Sequence, residues 1–279
     1  MKTVVKYFFT EYHAQKESKL LRKLLYAFIT VKCLYWCLDF ELLFGENSLV
    51  YKNNVHLNFV KSTAFILFNS GSSSLAWVFL IATLLLSVLG IVTSFLPRLQ
   101  AFLNWFLIVN IENRIYPTLT GGDFLLQQLL FFNIFLSNFS NPHSEPDKAF
   151  HNAGVIALKI QICLVYFMSA LAKIMDVDWE NGFALSQTFM IHDFSLPLLY
   201  NTIESNSTLL RTLSYLVIAY QITFPIIIWI KKWKKWFLAI GVLQHLFIAF
   251  IMGLPSFGFI MIIAYSIFYA PAFKSKNSL

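Results

Sequence analysis

Apolar residues fall in long blocks along this chain, separated by short polar intervals. Eight such blocks can be marked: about Leu24–Phe44, Leu75–Phe95, Ala101–Ile115, Phe124–Leu136, Gly154–Met175, Leu209–Ile230, Trp236–Met252 and Phe257–Phe273. Several reach the roughly 20 residues that a helix needs to cross a bilayer. The second is closed by Pro97 and Arg98, and the sixth contains Pro225. The third and fourth are short or polar, with Asn104, Asn110 and Glu112 inside the third, so a re-entrant or protein-buried helix also fits them. The pattern predicts an all-α, polytopic membrane bundle of about eight spans. It shows no internal repeat and no linker, and reads as a single membrane domain over residues 1–279.

Composition agrees with that pattern. Apolar residues make up 58% of the chain and charged residues 13%, more apolar surface than a soluble core of this length absorbs. The net charge of +7 could suggest nucleic acid, but the basic residues sit beside the apolar blocks and read as topology signals. With the N-terminus inside, fourteen lysines and arginines lie on the cytoplasmic side, against Lys52, Lys61, Arg114 and Arg211 outside. Both termini are therefore expected in the cytoplasm of a cell-membrane protein. Residues 1–23, lysine-rich with Val4, Val5, Phe8 and Phe9, read as a cytoplasmic interfacial helix. Residues 176–207 hold five acids and no lysine, and read as an acidic lid segment on the outer side, with an amphipathic stretch at Ala184–Phe194.

Charged groups inside the spans narrow the candidates, because burying them in lipid is costly unless they are paired or face a cavity. Lys32, Asp39 and Glu41 fall in the first span. Lys32 and Asp39 are about 10 Å apart by helix rise, so partners on other helices are expected, as a polar latch. Lys159, Tyr166 and Lys173 recur every seventh residue and share one face of the fifth span. Lys159 is expected to reach the inner headgroups. Lys173 closes that span and is followed by Asp176, Asp178, Trp179 and Glu180. It reads either as a surface ammonium paired with Asp176 or Glu180, or as a base in an outward-facing cavity. His245 lies mid-span after Gln244, as a hydrogen-bonded packing residue or a catalyst. Gly121–Gly122–Asp123 reads first as a turn and helix cap, and second as a pocket wall. His151 and His192 read as interfacial. Cys33, Cys37 and Cys163 lie in apolar blocks and read as packing residues, and no metal-ligand spacing occurs.

The fifth span and its extension, with Gln161, Tyr166–Phe167, Ala170, Lys173, Asp178–Trp179 and Gly182, resemble the transmembrane region of vitamin K-dependent gamma-carboxylases. They also resemble the bacterial HTTM proteins, which include the sporulation-delaying protein B family. His245 through Gly253 to Phe257–Gly258 resembles a later histidine-bearing helix of the same group. The resemblance implies a helical bundle with its site open outward, a reduced quinone as cofactor or substrate, and Lys173 as a base. It adds His245 and Asp123 as catalytic candidates, with Tyr166, Trp179 and Gln221 lining the substrate. The carboxylases carry a histidine where Asp123 stands here, and their large lumenal domain has no counterpart before Leu279. The minimal form resembles the sporulation-delaying group, in which one member helps mature a secreted toxin peptide together with companion proteins. Two functions follow as expectations. One is modification or maturation of a secreted peptide, or action on a lipid- or quinone-like substrate. The other is a non-catalytic accessory or immunity protein.

Overall fold

A computed structural model describes residues 7–46, 48, 72–93, 96–137, 145–191 and 207–269. Residues 49–58, His143 and His192 lie outside the described residues, as does the end of the expected lid. The described chain is helical: α1 (Gln15–Leu38), α2 (Phe40–Phe44), α3 (Ser73–Val92), α4 (Pro97–Arg114), α5 (Gly121–Asn133), α6 (Glu145–Ile174), α7 (Val177–Glu180), α8 (Ala184–Met190), α9 (Ser207–Ile227), α10 (Lys231–Phe250) and α11 (Pro255–Ala264). Two 3-10 turns, Tyr116–Thr118 and Tyr265–Phe268, complete it. Over its described residues, each expected apolar block coincides with one of these helices or with a pair of neighbouring elements; residues 94–95 and 270–273 of two blocks lie outside the described residues. Three helical stretches, Ser73–Val92, Glu145–Ile174 and Thr208–Ile227, are long and apolar enough to cross a bilayer.

The distribution of side chains is that of a protein in lipid. Val92 is 78% exposed and Leu243 68%, while Asn104, Glu112, Arg114 and Asn133 are 0% exposed. Such an arrangement would be costly in water and is favourable where hydrocarbon is the solvent. The chain divides into two compact units, Met1–Ile156 and Ala157–Leu279, where the sequence suggests one domain. The division falls within the 30-residue helix α6, whose opening turns belong to the first unit.

In the first unit, α1 buries Leu21, Leu25, Ile29, Cys33 and Trp36 along one stripe at helical spacing. It packs along α3, where Gly90 leaves room for the Tyr26 ring; a Cβ there would collide with it. The polar residues 15–23 are not a separate interfacial helix but the first turns of α1, with Ser18 and Arg22 buried. The reason is local satisfaction of charge. Arg22 Nε donates to Asn133 Oδ1 at 3.0 Å, and its Nη2 donates to the Leu136 carbonyl at 2.7 Å, closing the C-terminal end of α5. Arg114 likewise is no outer surface charge. It is buried, and its Nη2 donates to the Phe44 carbonyl at 2.8 Å.

α4 starts with Pro97 in the first turn, after Leu96 in a left-handed conformation, and is the polar helix of this unit. Its Asn104, Asn110 and Asn113 amides donate to carbonyls four residues back, which explains how so polar a helix lies buried. α5 is only 13 residues long, about 20 Å by helix rise and short of a bilayer's hydrocarbon core. Thr120 caps it, with Thr120 Oγ1 accepting from Gly122 N and Asp123 Oδ2 accepting from Thr120 N at 2.6 Å. That is the turn-and-cap geometry expected from Gly121–Gly122–Asp123.

The start of α6 holds the N-terminal segment. Asn152 Nδ2 donates to the carbonyls of Tyr7, Phe8 and Glu11, and its Oδ1 accepts from His13 N at 2.9 Å. Asp147 accepts from Tyr12 and Ser137 hydroxyls and pairs with Arg98 at 2.5 Å. Burial first, and the hydrogen bond to Asp147 second, push the Tyr12 phenol up to about 12, so it stays a donor at ordinary pH. His151, expected at an interface, is fully buried between His13 O and Ser137 N.

In the second unit, α9 carries Pro225 within it, and α10 packs on α11. Gly258 lets these two helices approach; a Cβ there would meet the His245 carbonyl oxygen and Ala249. Lys159 does not extend to a surface. It is buried at 4% exposure, within α6.

Candidate functional site: two lysines and a phenol–histidine cluster

Three polar constellations are built into the helices, one in the first unit and two in the second. In the first unit, Lys32 of α1 donates to Glu112 of α4 and, at 2.5 Å, to Asp123 Oδ1 of α5. Gln127 Nε2 donates to the other Glu112 oxygen at 2.8 Å, and Thr120 N and Oγ1 donate to the second Asp123 oxygen. The Lys32 ammonium also stands 4.7 Å from the Trp36 ring centroid. Every carboxylate oxygen of the pair thus has a donor, and the lysine bridges three helices. This is the interhelical latch expected of Lys32, with Asp123 as one of its acceptors. Asp39 caps the end of α1 and Glu41 is exposed on α2, so neither joins it. Glu112 carried no signal as the partner, because it lies 80 residues from Lys32 in sequence.

The second constellation stands at the end of α6. Lys173 Nζ donates to Ser169 Oγ at 2.8 Å, one turn back, and lies 5.0 Å from the Trp179 ring centroid. Among the described residues no ion pair joins it to Asp176 or Glu180, although both were candidate partners. The physical reason is visible in the next turn. Asp176 Oδ1 accepts from Asp178 N and Trp179 N as the cap of α7, and Asp178 Oδ1 accepts from Gln187 Nε2 at 3.0 Å. Two of the three acids are committed to their own segment. Gly182, at φ 76°, turns the chain after α7 in a conformation that disfavours other residues. Arg211 of α9 packs against that glycine, and Tyr215 Oη donates to the Glu180 carbonyl at 2.8 Å. The loop bearing Trp179 is thereby fixed to α9.

The third constellation lies deep in the second unit. The Tyr166 hydroxyl of α6 is 2.6 Å from His245 Nε2 of α10 and in hydrogen-bond contact with the Tyr265 hydroxyl. Tyr265 is 3.5 Å from the Tyr220 hydroxyl of α9, which in turn donates to the Phe237 carbonyl at 3.0 Å. Gly241 stands where two of these phenols meet; a Cβ would collide with the hydroxyls of Tyr220 and Tyr265. Tyr166 stacks on Phe224 with centroids 4.0 Å apart, and the His245 ring meets Phe257 edge to face. Among the described residues His245 Nδ1 and Gln221 Oε1 are buried without a partner. Tyr220 and Tyr265 escaped the sequence reading, because a tyrosine in an apolar block is indistinguishable from core packing until its hydroxyl is placed.

Of the six residues the sequence singled out, Tyr166 and His245 are therefore in direct contact, and Lys173 contacts Trp179. Tyr166 and Lys173 are two turns apart on α6, about 10 Å by helix rise. Gln221 is buried on α9 beside Tyr220 in sequence. Asp123 belongs to the first unit, bound to Lys32.

Comparison with known proteins adds a domain match and two distant relatives. Residues 143–273 match the HTTM domain, a stretch that holds Tyr166, Lys173, Trp179, Gln221 and His245 but not Lys32 or Asp123. The chain is 25% identical over 197 residues to the sporulation-delaying protein SdpB of Bacillus subtilis (strain 168), covering 65% of this chain and 60% of that protein. It is 26% identical over 201 residues to the uncharacterized protein YitO of the same strain, covering 66% of this chain and 63% of that protein. The chain thus spans less than two thirds of the length of either relative. No solved structure matches it. By these comparisons, residues 143–273 of the chain resemble the HTTM domain, and the chain is a distant homologue of these two proteins.

Proposed function

We propose that this chain is an eight-span protein of the cell membrane with both termini in the cytoplasm. It acts at its outer face in the modification or maturation of a secreted peptide, or on a lipid- or quinone-like substrate, with Lys173 as the base. The distribution of lysine and arginine supports the orientation, and the relation to a sporulation-delaying protein supports a secreted-peptide role.

The observation that carries the chemical reading is the setting of Lys173. It has a hydroxyl and an indole face as neighbours and no carboxylate partner among the described residues. A carboxylate about 4 Å away would be worth about 4 kcal/mol at an effective dielectric of 20 and would fix the ammonium form. Without that pair, the nitrogen is free to exchange its proton with an acidic substrate hydroxyl. Ser169 and Trp179 hold the amine in place while it does so. A reduced quinone, implied by the family resemblance, fits the groups present. It would supply the acidic hydroxyl, Lys173 would take the proton, and the orphaned Nδ1 of His245 marks a second polar contact in the same unit.

The test compares the extracellular peptides of the host, by mass spectrometry, in wild-type, deletion and Lys173→Ala strains. The expected result is that Lys173→Ala, present in the membrane at the wild-type level, reproduces the deletion. Full peptide processing by that variant would discard the catalytic reading in favour of the accessory or immunity role. Partner co-purification that survives the substitution would then support that role.

A further inference from the structure

The start of α10 carries the densest run of positive charge in the chain, Lys231–Lys232–Trp233–Lys234–Lys235–Trp236. No aspartate or glutamate follows Glu204 in the sequence, so no neighbour along the chain offsets it. Other basic residues have acids beside them. Lys16, Lys19 and Lys23 share their segment with Glu11 and Glu17, and Arg98 pairs with Asp147. Lys231, Lys232 and Lys235 are exposed, as are Trp233 and Trp236, at 52% and 69%. At about 100° of turn per residue, Lys231, Lys235, Lys232, Trp236 and Trp233 follow one another around a single arc of about 200°. Lys232 Nζ lies 5.5 Å from the Trp233 ring centroid, within that arc. Lys234 falls outside it, on the side of the buried Leu238. Beyond the indoles the same side of α10 continues as Ile240, Leu243, Phe247 and Phe250, all exposed. Their spacing of three and four residues keeps them in line with Trp236. From Trp236 to Phe247 the helix rises about 16 Å, close to half of the roughly 30 Å hydrocarbon core.

We propose that this side of α10 binds an anionic phospholipid. Its phosphate sits among Lys231, Lys232 and Lys235, its glycerol region against Trp233 and Trp236, and its acyl chains along Ile240, Leu243 and Phe247. The order of the three parts selects the occupant. A free phosphate or an acidic peptide would use the lysines and leave the aligned apolar stripe without a role. A zwitterionic lipid would fit the stripe but would bring its own cation against the lysines. A headgroup with net negative charge on two chains matches lysines, indoles and stripe together, and each lysine near such a headgroup adds attraction that fades within a Debye length. Orientation at insertion needs only the charge, and neither exposed indoles nor their alignment with the lysines. In the proposed orientation the lipid belongs to the cytoplasmic leaflet, but the site depends neither on that orientation nor on Lys173 acting as a base.

Competitive lipid retention by the full chain tests it. The protein is reconstituted in nanodiscs of equal parts phosphatidylglycerol and phosphatidylcholine and released into mild detergent, and its bound lipids are counted by native mass spectrometry. The wild type is expected to retain phosphatidylglycerol about tenfold over phosphatidylcholine. Lys231→Gln/Lys232→Gln/Lys235→Gln is expected to lose that preference, and arginine at the same three positions to keep it. Lys16→Gln/Lys19→Gln/Lys23→Gln removes as much charge from α1 and is expected to leave the preference in place. Equal retention of the two lipids by the wild type would overturn the proposal and leave the lysines to an acidic protein partner. A preference that survives the α10 glutamines, or that falls equally in the α1 variant, would overturn it as well, the latter by reducing it to net charge. Should the α10 glutamine variant fail to fold, dibrominated lipids decide. Dibrominated phosphatidylglycerol is expected to quench wild-type tryptophan fluorescence more than dibrominated phosphatidylcholine, and Trp233→Phe/Trp236→Phe to remove the excess. Equal quenching by the two lipids would overturn the site. Failure of the Lys173 reading is distinct, since it is scored by peptide processing alone.

Discussion

Two lysines near helix ends of this chain are held in opposite ways. Lys32 has two carboxylates, a helix cap and an indole around it, all within the first unit. Lys173 has a serine hydroxyl and an indole, and its neighbouring acids Asp176 and Asp178 are turned to their own loop. A buried charge that is fully paired serves the fold, because removing any partner strands the others. A charge that the fold leaves without an opposite charge contributes little to stability and remains available for chemistry. The same lysine–indole contact, at 4.7 Å and 5.0 Å, is common to both, so the difference lies in the carboxylates.

The comparison is broken most forcefully at Lys32. Lys32→Met leaves Glu112 and Asp123 buried and uncompensated and is expected to cost about 3–5 kcal/mol, read as lost thermal stability in detergent. The neutral combination with Glu112→Gln and Asp123→Asn is expected to recover most of it. If Lys32→Met melts like the wild type, the latch is not structural. Next comes Asn152→Ala in the same unit, which removes the clasp on the N-terminal segment and is expected to cost about 1–3 kcal/mol. Protection of the Tyr7–His13 backbone amides from hydrogen exchange should fall with it.

Gly182→Ala serves as the control in the second unit. Its φ of 76° and the packing of Arg211 against it predict a loss of about 1–2 kcal/mol, so melting does report damage there. The smallest expected effect is the one that separates the lysines. Lys173→Met should cost under about 1 kcal/mol, since it loses one partly buried hydrogen bond and an aromatic contact but strands no opposite charge. A loss as large as that of Lys32→Met would place Lys173 among the structural charges.

The fold was legible because lipid imposes a strong one-dimensional signal: each apolar block became a helix within a few residues. What escaped it were charges whose partners lie far away in sequence. Arg22 and Arg114 look like topology charges, but each finds carbonyls at the end of another helix. Lys159 and His151 look peripheral by position and are buried. At the site, the seven-residue spacing of Tyr166 and Lys173 was readable, as was the interest of His245. The contact of Tyr166 with His245 spans 79 residues and needed the fold. The relation of Lys32 to Asp123 shows the same limit, since hydropathy marks both as costly but does not say they compensate each other.

The most direct test of the contrast is peptide processing by Lys173→Ala, scored beside its own melting temperature. The account predicts wild-type membrane abundance, a melting temperature within a few degrees of wild type, and extracellular peptides matching those of the deletion strain. A well-folded Lys173→Ala protein that restores the wild-type peptide profile would contradict it.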